Sequence, residues 1–331
     1  MQKPRFIDKS LSRHDQVLEL VDFAAWCCSS QGNTVQTISN KISAVKYFHL
    51  VDAGVELPTE ADLLKRQFLG MQRTHVQRRA LTRVRLPITL HELRAGAGGD
   101  RLMVDGGRTL ELCLTLAFFI GARPLEIFKS DQGLVHPVNC LTRGDVAFFD
   151  AHGQLFGGDI SRATRFELLF RGHKGDQAQK GTVLVRTREA ASGTHARLEA
   201  DGGAVAALVE LCLLEAELPS SAPLAAFTVG MSYQVWSYRQ ATRALRQIAE
   251  RAGMDQKRIS LHSLRIGSAT VLASGGVSER IVQREGRWKS SFQMYSVYTR
   301  NNLTDSEAVS RKLTQAGKKK HLQPRIGTKW N

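Results

Sequence analysis

In the stretch LHSLRIGSATVLASGG, His262 and Arg265 stand three residues apart at the start of an apolar-periodic segment. Three residues along a helix is one face, so both side chains can meet one ligand. Far upstream, LTLAFFIGARPLEIF sets Arg123 directly after a run of apolar residues, with Glu126 three residues on. A guanidinium emerging where a core ends wants an anion, and a surface pair with Glu126 is the simplest alternative partner. In HKGDQ, Lys174 occupies the turn between two expected strands, a tip able to reach a bound ligand or merely to face solvent. Near the C-terminus, GRWKSSFQMYSVYTR carries Trp288 and two tyrosines, Tyr295 and Tyr298, among basic neighbours. These types offer cations for an anionic group, an imidazole for proton transfer and phenols as nucleophiles.

The elements that must position these residues fall into two domains and a tail. Residues 1–85 alternate apolar and polar positions at helical spacing, and VQTISNKISAVKYFH puts Val35, Ile38, Ile42, Val45 and Phe48 on one face. Lys41 and Lys46 lie off that face, where solvent or DNA would meet them. The run QRRALTRVRLPIT then combines the basic residues Arg83 and Arg85 with Pro87, which suits a linker. A second domain is expected over residues 86–315 and a basic tail over 316–331.

In the second domain, Thr89 and Glu92 form a capping box, and Arg108 to Gly121 reads as an apolar helix. RGDVAFFDAHGQ, RFELLFRGHKG and GTVLVRT read as short strands of an antiparallel sheet. From Asp201 onward the pattern predicts helix throughout, with Val235, Tyr238, Thr242, Leu245, Ala249 and Ala252 on one buried stripe stopped by Gly253. Beside that stripe run Arg239, Arg243 and Arg246, a face for a DNA groove or for solvent. Thr304 and Glu307 start a last amphipathic helix bearing Leu303, Val309 and Leu313, and Lys318, Lys319 and Lys320 follow as phosphate contacts or a nuclear address. The expected fold is mostly α with a small antiparallel β-sheet.

Charge and composition agree with an anion-handling protein. Among 331 residues, 46 are Lys or Arg and 31 Asp or Glu, a formal net charge of +15 that favours a polyanionic partner. With 42% hydrophobic residues the charge decorates a folded protein, not a disordered chain. Five cysteines lack a C-x-x-C pair and read as reduced and structural. The N-terminus has no signal-peptide pattern, and the longest apolar run, Leu112 to Ala122, falls short of the ~18 residues that span a bilayer. An intracellular, soluble protein is expected.

Taken in order, Arg123, Lys174, His262, Arg265, Trp288 and a tyrosine resemble the tyrosine recombinase family, the phage-integrase type. The resemblance rests on Gly-Ala-Arg-x-x-Glu-Ile at 121–127, Lys174, His-x-x-Arg at 262–265, Gly-Arg-Trp at 286–288 and the terminal tyrosine, and spans Leu86 to Leu313. HSLRIGSAT, GRWKS and YTR look most like the eukaryotic branch carried by crypton and DIRS-type mobile elements. The resemblance implies a two-domain clamp on double-stranded DNA, with residues 1–85 as core-binding domain. It implies cleavage and rejoining through a covalent 3′-phosphotyrosine, with no metal, ATP or other cofactor. Recombination by this route takes a homotetramer on two DNA sites, from protomers that are monomeric when free, in the nucleus of a eukaryotic host.

Under that resemblance Arg123 and Arg265 hold the non-bridging oxygens, where a metal pair would stand elsewhere. Lys174, with Lys180 as fallback, protonates the 5′-oxygen. His262 accepts the tyrosine proton, and Trp288 donates its indole N–H or packs the site. Tyr298 matches the family's Tyr-x-Arg step and is assigned as nucleophile. The Trp288-to-Tyr298 interval is a residue or two longer than in relatives, which keeps Tyr295 as the alternative. A DNA-binding protein that has lost cleavage, a type IB topoisomerase and a basic RNA-binding protein are the competing readings. The full set of six residue types argues against the first, and the N-terminal helices with a candidate trans-docking helix favour recombinase over the second. An RNA-binding protein predicts no covalent adduct.

Overall fold

The computed structural model describes residues 7–8, 10–79, 85–97, 104–172, 180–188, 203–288 and 290. The chain divides into two compact units, Met1–Arg83 and Val84–Asn331. No helix among the described residues is long and apolar enough to cross a membrane.

The first unit holds α1 (Arg13–Ser29), α2 (Val35–Ala53) and α3 (Asp62–Arg79). Hydroxyls start the first two: Ser12 Oγ accepts from the Asp15 N–H at 3.1 Å and Thr34 Oγ1 from the Thr37 N–H at 3.3 Å. Leu20, Ala24, Cys27, Ile38, Ile42, Leu57 and Leu64 make its core. Phe48 does not join them as expected; it is 55% exposed, while His49 is 4% exposed. The inward stripe of α2 runs Ile38, Ile42, Val45, His49, and Phe48 sits about 100° round the helix from His49. Burial of the imidazole is tolerated because both ring nitrogens are used: Nε2 accepts from the Ile7 N–H at 2.7 Å and Nδ1–H donates to Val45 O at 2.9 Å. Lys41 and Lys46 are half-buried, and Lys46 Nζ lies 3.9 Å from Glu56 Oε1.

The second unit opens on α4 (Leu90–Ala97), capped by Thr89 and Glu92 as expected, with the Thr89 N–H donating to Glu92 Oε2 at 2.8 Å. Next comes the apolar α5 (Gly107–Phe119). The strands β1 (Val146–Phe149), β2 (Gln154–Leu155), β3 (Arg165–Phe170) and β4 (Thr182–Thr187) follow and form an antiparallel sheet in the order β2-β1-β3-β4. Phe166, Leu168 and Phe170 alternate inward along β3, so one face of the sheet closes on the core. After α6 (Ala204–Leu214) the chain departs from the all-helical expectation: β5 (Ala226–Val229) and β6 (Ser232–Val235) form a hairpin. Pairing of Val229 with Ser232 leaves Gly230 and Met231 as the turn, and Gly230 takes the φ of 59° that such a turn demands. Val235 therefore belongs to a strand, not to the helix stripe.

The remaining helices are α7 (Tyr238–Arg251), α8 (His262–Ser274) and α9 (Glu279–Glu285). Ser237 and Gln240 cap α7 reciprocally. α5 packs on α6 and α8, α4 packs on α7, and α9 packs on α8. Burial pushes the Cys140 and Cys212 thiols up to about 11, as suits unreactive cysteines.

Residues 86–88 lie directly against α8, where the Ile88 N–H donates to Ser263 O at 3.0 Å. The approach needs a glycine: a Cβ on Gly267 would stand 1.8 Å from Ile88 O, a main-chain atom with little room to move. Gly267→Ala is expected to destabilise the protein by about 1–3 kcal/mol in urea unfolding, the range of overpacked sites. An unchanged midpoint would mean that residues 86–88 are not held against α8.

Candidate active site

The turn after α5 carries Arg123 and Glu126. The Arg123 N–H donates to Glu126 Oε2 at 2.7 Å and Arg123 Nη1 donates to Oε1 at 2.8 Å. This is not the surface pair that spacing alone allowed, because Glu126 is 2% exposed. Its second cation is Arg287, whose Nη2 donates to Glu126 Oε2 at 2.8 Å, and Arg123 Nη2 in turn donates to Arg287 O at 3.2 Å. The Arg287 guanidinium also lies 3.7 Å over the Phe170 ring of β3. Burial by itself would raise the Glu126 carboxyl; the Arg287 and Arg123 charges outweigh it and hold the group below the usual carboxylate range.

Arg287 has a φ of 55°, the only positive value among non-glycine residues described. A left-handed backbone costs an ordinary residue roughly 1–2 kcal/mol, so its surroundings must hold it there.

Arg265 is placed by the first turn of α8, but it does not share a ligand-facing surface with His262 as the three-residue spacing suggested. It is 1% exposed; Nη1 donates to Gly121 O, Nη2 donates to Gly286 O, and the guanidinium stacks 4.3 Å from the buried Trp288 ring. The helix turns its Arg265 side inward, against α5 and the Gly-Arg-Trp segment, while His262 one turn earlier is half-buried.

His262 and Arg123 line one cavity of about 680 Å³, together with Ser130, Asp131, Asn139 and Tyr238. Its volume is that of an ordinary small-ligand site. Burial, then the charges of Arg85, Arg265 and Arg123, push the His262 imidazole down to about 4. At neutral pH it is uncharged and able to accept a proton, and its Nδ1 has no hydrogen-bond partner among the described residues. The folded value lies below the ordinary 6.5, so the unfolded chain protonates first. The His262 contribution is therefore intact above about 6.5 and is lost as pH falls toward 4. A ring titration by NMR is expected to put His262 near 4 in the free protein, and phosphate added to the cavity to raise it. A midpoint near 6.5 without phosphate would mean the imidazole is not in this environment.

Lys174, Arg83, Tyr295 and Tyr298 lie outside the described residues, as do the last expected helix and the basic tail. Lys180 is exposed just ahead of β4, and Arg85 is exposed. On α7, Arg239, Arg243 and Arg246 are exposed on the side away from the buried stripe, and Arg246 Nε donates to Ile259 O at 3.0 Å. The sequence did not assign Arg287, Tyr238 or Asp131 to the site: Arg287 stood only inside Gly-Arg-Trp and Tyr238 only on the buried stripe, whereas Tyr238 and Asp131 line the cavity. Arg287 had a signal: a lone glutamate in the apolar string ARPLEIF needs more counter-charge than one surface arginine supplies.

No family model and no curated protein matches the sequence. Among solved structures, the chain is similar to the XerH site-specific recombinase bound to difH substrate in a pre-cleavage complex, with a TM-score of 0.50 and 14% identity over 91% of this chain and 70% of that one. It is also similar to the Tn1549 transposon integrase (residues 82–397) in complex with circular intermediate DNA, with a TM-score of 0.46 and 12% identity over 90% of this chain and 86% of that one. A post-cleavage XerH complex gives a TM-score of 0.43 and 15% identity over 70% of this chain, which spans 54% of that protein's chain. The likeness to the pre-cleavage complex defines the class at the level of fold: a mostly helical chain with a small antiparallel sheet, as in the tyrosine recombinase catalytic domain.

Proposed function

We propose that this chain is a site-specific DNA recombinase that breaks and rejoins double-stranded DNA through a covalent 3′-phosphotyrosine. The observation that carries the reading is the cavity in which Arg123 and the uncharged His262 face one space, within a fold of the recombinase class. Arg123 neutralises a non-bridging oxygen of the scissile phosphate with a charge present at every working pH. His262 takes the phenolic proton as the tyrosine oxygen attacks phosphorus. The phosphorus–oxygen bond to the 5′-sugar breaks, and its oxygen takes a proton from Lys174, or from Lys180 in its place. The phosphotyrosine conserves the energy of the broken bond, so the 5′-hydroxyl of another strand reverses the sequence without ATP and without a metal.

Arg265 joins this chemistry by exchanging the Gly121 and Gly286 carbonyls for a phosphate oxygen when DNA binds, with Trp288 packed behind it. Lys41, Lys46, Arg83, Arg85, Arg239, Arg243 and Arg246 supply backbone contacts that position the duplex. We place the chain in the crypton and DIRS-element branch on the wording of HSLRIGSAT and GRWKS, which makes it a transposable-element enzyme acting as a tetramer in a nucleus.

The test is metal-free incubation, with chelator, of the wild type with nicked suicide duplexes made from the DNA flanking its own coding sequence. A protein–DNA adduct that survives denaturation and maps to a tyrosine peptide is the expected result. Tight binding with no adduct favours the second reading, a DNA-binding protein of this fold without cleavage, to which the burial of Arg265 also points. Adducts with plasmid relaxation and no strand exchange would mark a type IB topoisomerase.

A further inference from the structure

We propose that Arg287 is a positioning residue of this site: its guanidinium and its carbonyl together fix residues 286–288, which lead toward the tyrosines in sequence, against the Arg123 turn. The inference rests on the recombinase reading above. Its basis is that Arg287 reaches Arg123 twice. Directly, its carbonyl accepts from Arg123 Nη2 at 3.2 Å. Indirectly, its Nη2 holds Glu126 Oε2 at 2.8 Å, and Glu126 holds both the main-chain N–H and Nη1 of Arg123. Two further ties fix the guanidinium itself, Nη1 to Ile120 O at 3.3 Å and the Phe170 ring at 3.7 Å. On either side, Gly286 O accepts from Arg265 and the Trp288 ring stacks on it. One tripeptide thus touches both arginines proposed to hold the phosphate.

The backbone of Arg287 supports a role for the side chain over one for the turn. At a φ of 55° glycine would fit with least strain, yet an arginine is there. Without the guanidinium, Glu126 keeps Arg123 as its remaining direct cation and draws it inward, and residues 286–288 lose their ties to Glu126, Ile120 and Phe170. A shift of an ångström in a reacting group is enough to slow chemistry about 100-fold.

Arg287→Gly separates the two roles, because glycine keeps the backbone and removes only the side chain. The expected result on the suicide duplexes is affinity within about twofold of wild type, adduct formation slowed about 100-fold, and recovery with millimolar ethylguanidinium. Arg287→Lys keeps a cation beside Glu126 but cannot span Ile120 O as well, so an intermediate rate without need of ethylguanidinium is expected. Adduct formation at the wild-type rate in Arg287→Gly overturns the proposal. So does a loss that follows melting or DNA affinity and is not rescued; if Arg287→Gly fails to fold, a wild-type rate in Arg287→Lys overturns it equally. Wild type that binds these duplexes without forming an adduct removes the recombinase reading and this inference with it, whereas adducts that form at equal rates in wild type and Arg287→Gly remove only the inference.

Discussion

Tyr298→Phe is expected to abolish the covalent DNA adduct while leaving duplex binding unchanged. The substitution deletes one oxygen and keeps the ring, so under the proposed function it removes the nucleophilic atom and nothing else. A free phenol has a pKa of about 10 and is a poor nucleophile at neutral pH. Under the proposed function the cavity supplies what it lacks: His262, with its pKa pushed down to about 4, takes the proton, and Arg123, which lines the same cavity, meets the phosphate and the developing phenolate. With the oxygen absent, those groups have nothing to activate, and the rate falls roughly 10⁴-fold or more, the scale for removing a nucleophile. Denaturing gels of the suicide duplexes read this directly. Loss in Tyr295→Phe alone would move the nucleophile three residues upstream and keep the chemistry. Adducts in both variants would end the phenol mechanism.

The second large effect is on stability. Glu126→Gln is expected to destabilise the protein by about 3–5 kcal/mol, because the change leaves a buried cation without its counter-charge. The side chains of Arg287 and Glu126 are 2% and 3% exposed, so water cannot replace the lost partner. Removing both charges in Glu126→Gln/Arg287→Met is expected to do less damage than the sum of the single changes, since neither charge is then stranded. Urea unfolding at neutral pH measures both. The same pair sets an acid limb. The Glu126 carboxyl is lowered in the folded chain, so its contribution is full above the ordinary value of 4.5 and is lost as pH falls through the lower folded value. Stability of the wild type should therefore drop steeply below about 4.5, and that part of the drop should be missing in Glu126→Gln.

Local signals carried much of this protein into view. The Thr89–Glu92 cap, the apolar α5 and the strands β1, β3 and β4 follow from neighbours a few residues apart, and each is present in the structure. The residue types now found around the cavity, Arg123 and His262, were readable because guanidinium and imidazole chemistry does not depend on fold. The β5–β6 hairpin was not readable: Val235 also fits the 3/4 apolar spacing of the helix that follows it, and only pairing across Gly230 shows that it belongs to a strand.

Burial of charge was decided by tertiary structure alone. Glu126 and Arg287 are 161 residues apart, as Arg265 and Gly121 are 144, and no local pattern says that such groups will meet. A sequence fixes which side chains carry charge and which face of a helix they share. Whether a charge lies in water or is worth burying depends on counter-charges and carbonyls brought from elsewhere in the chain, because the low dielectric of the interior penalises an ion until its partners arrive.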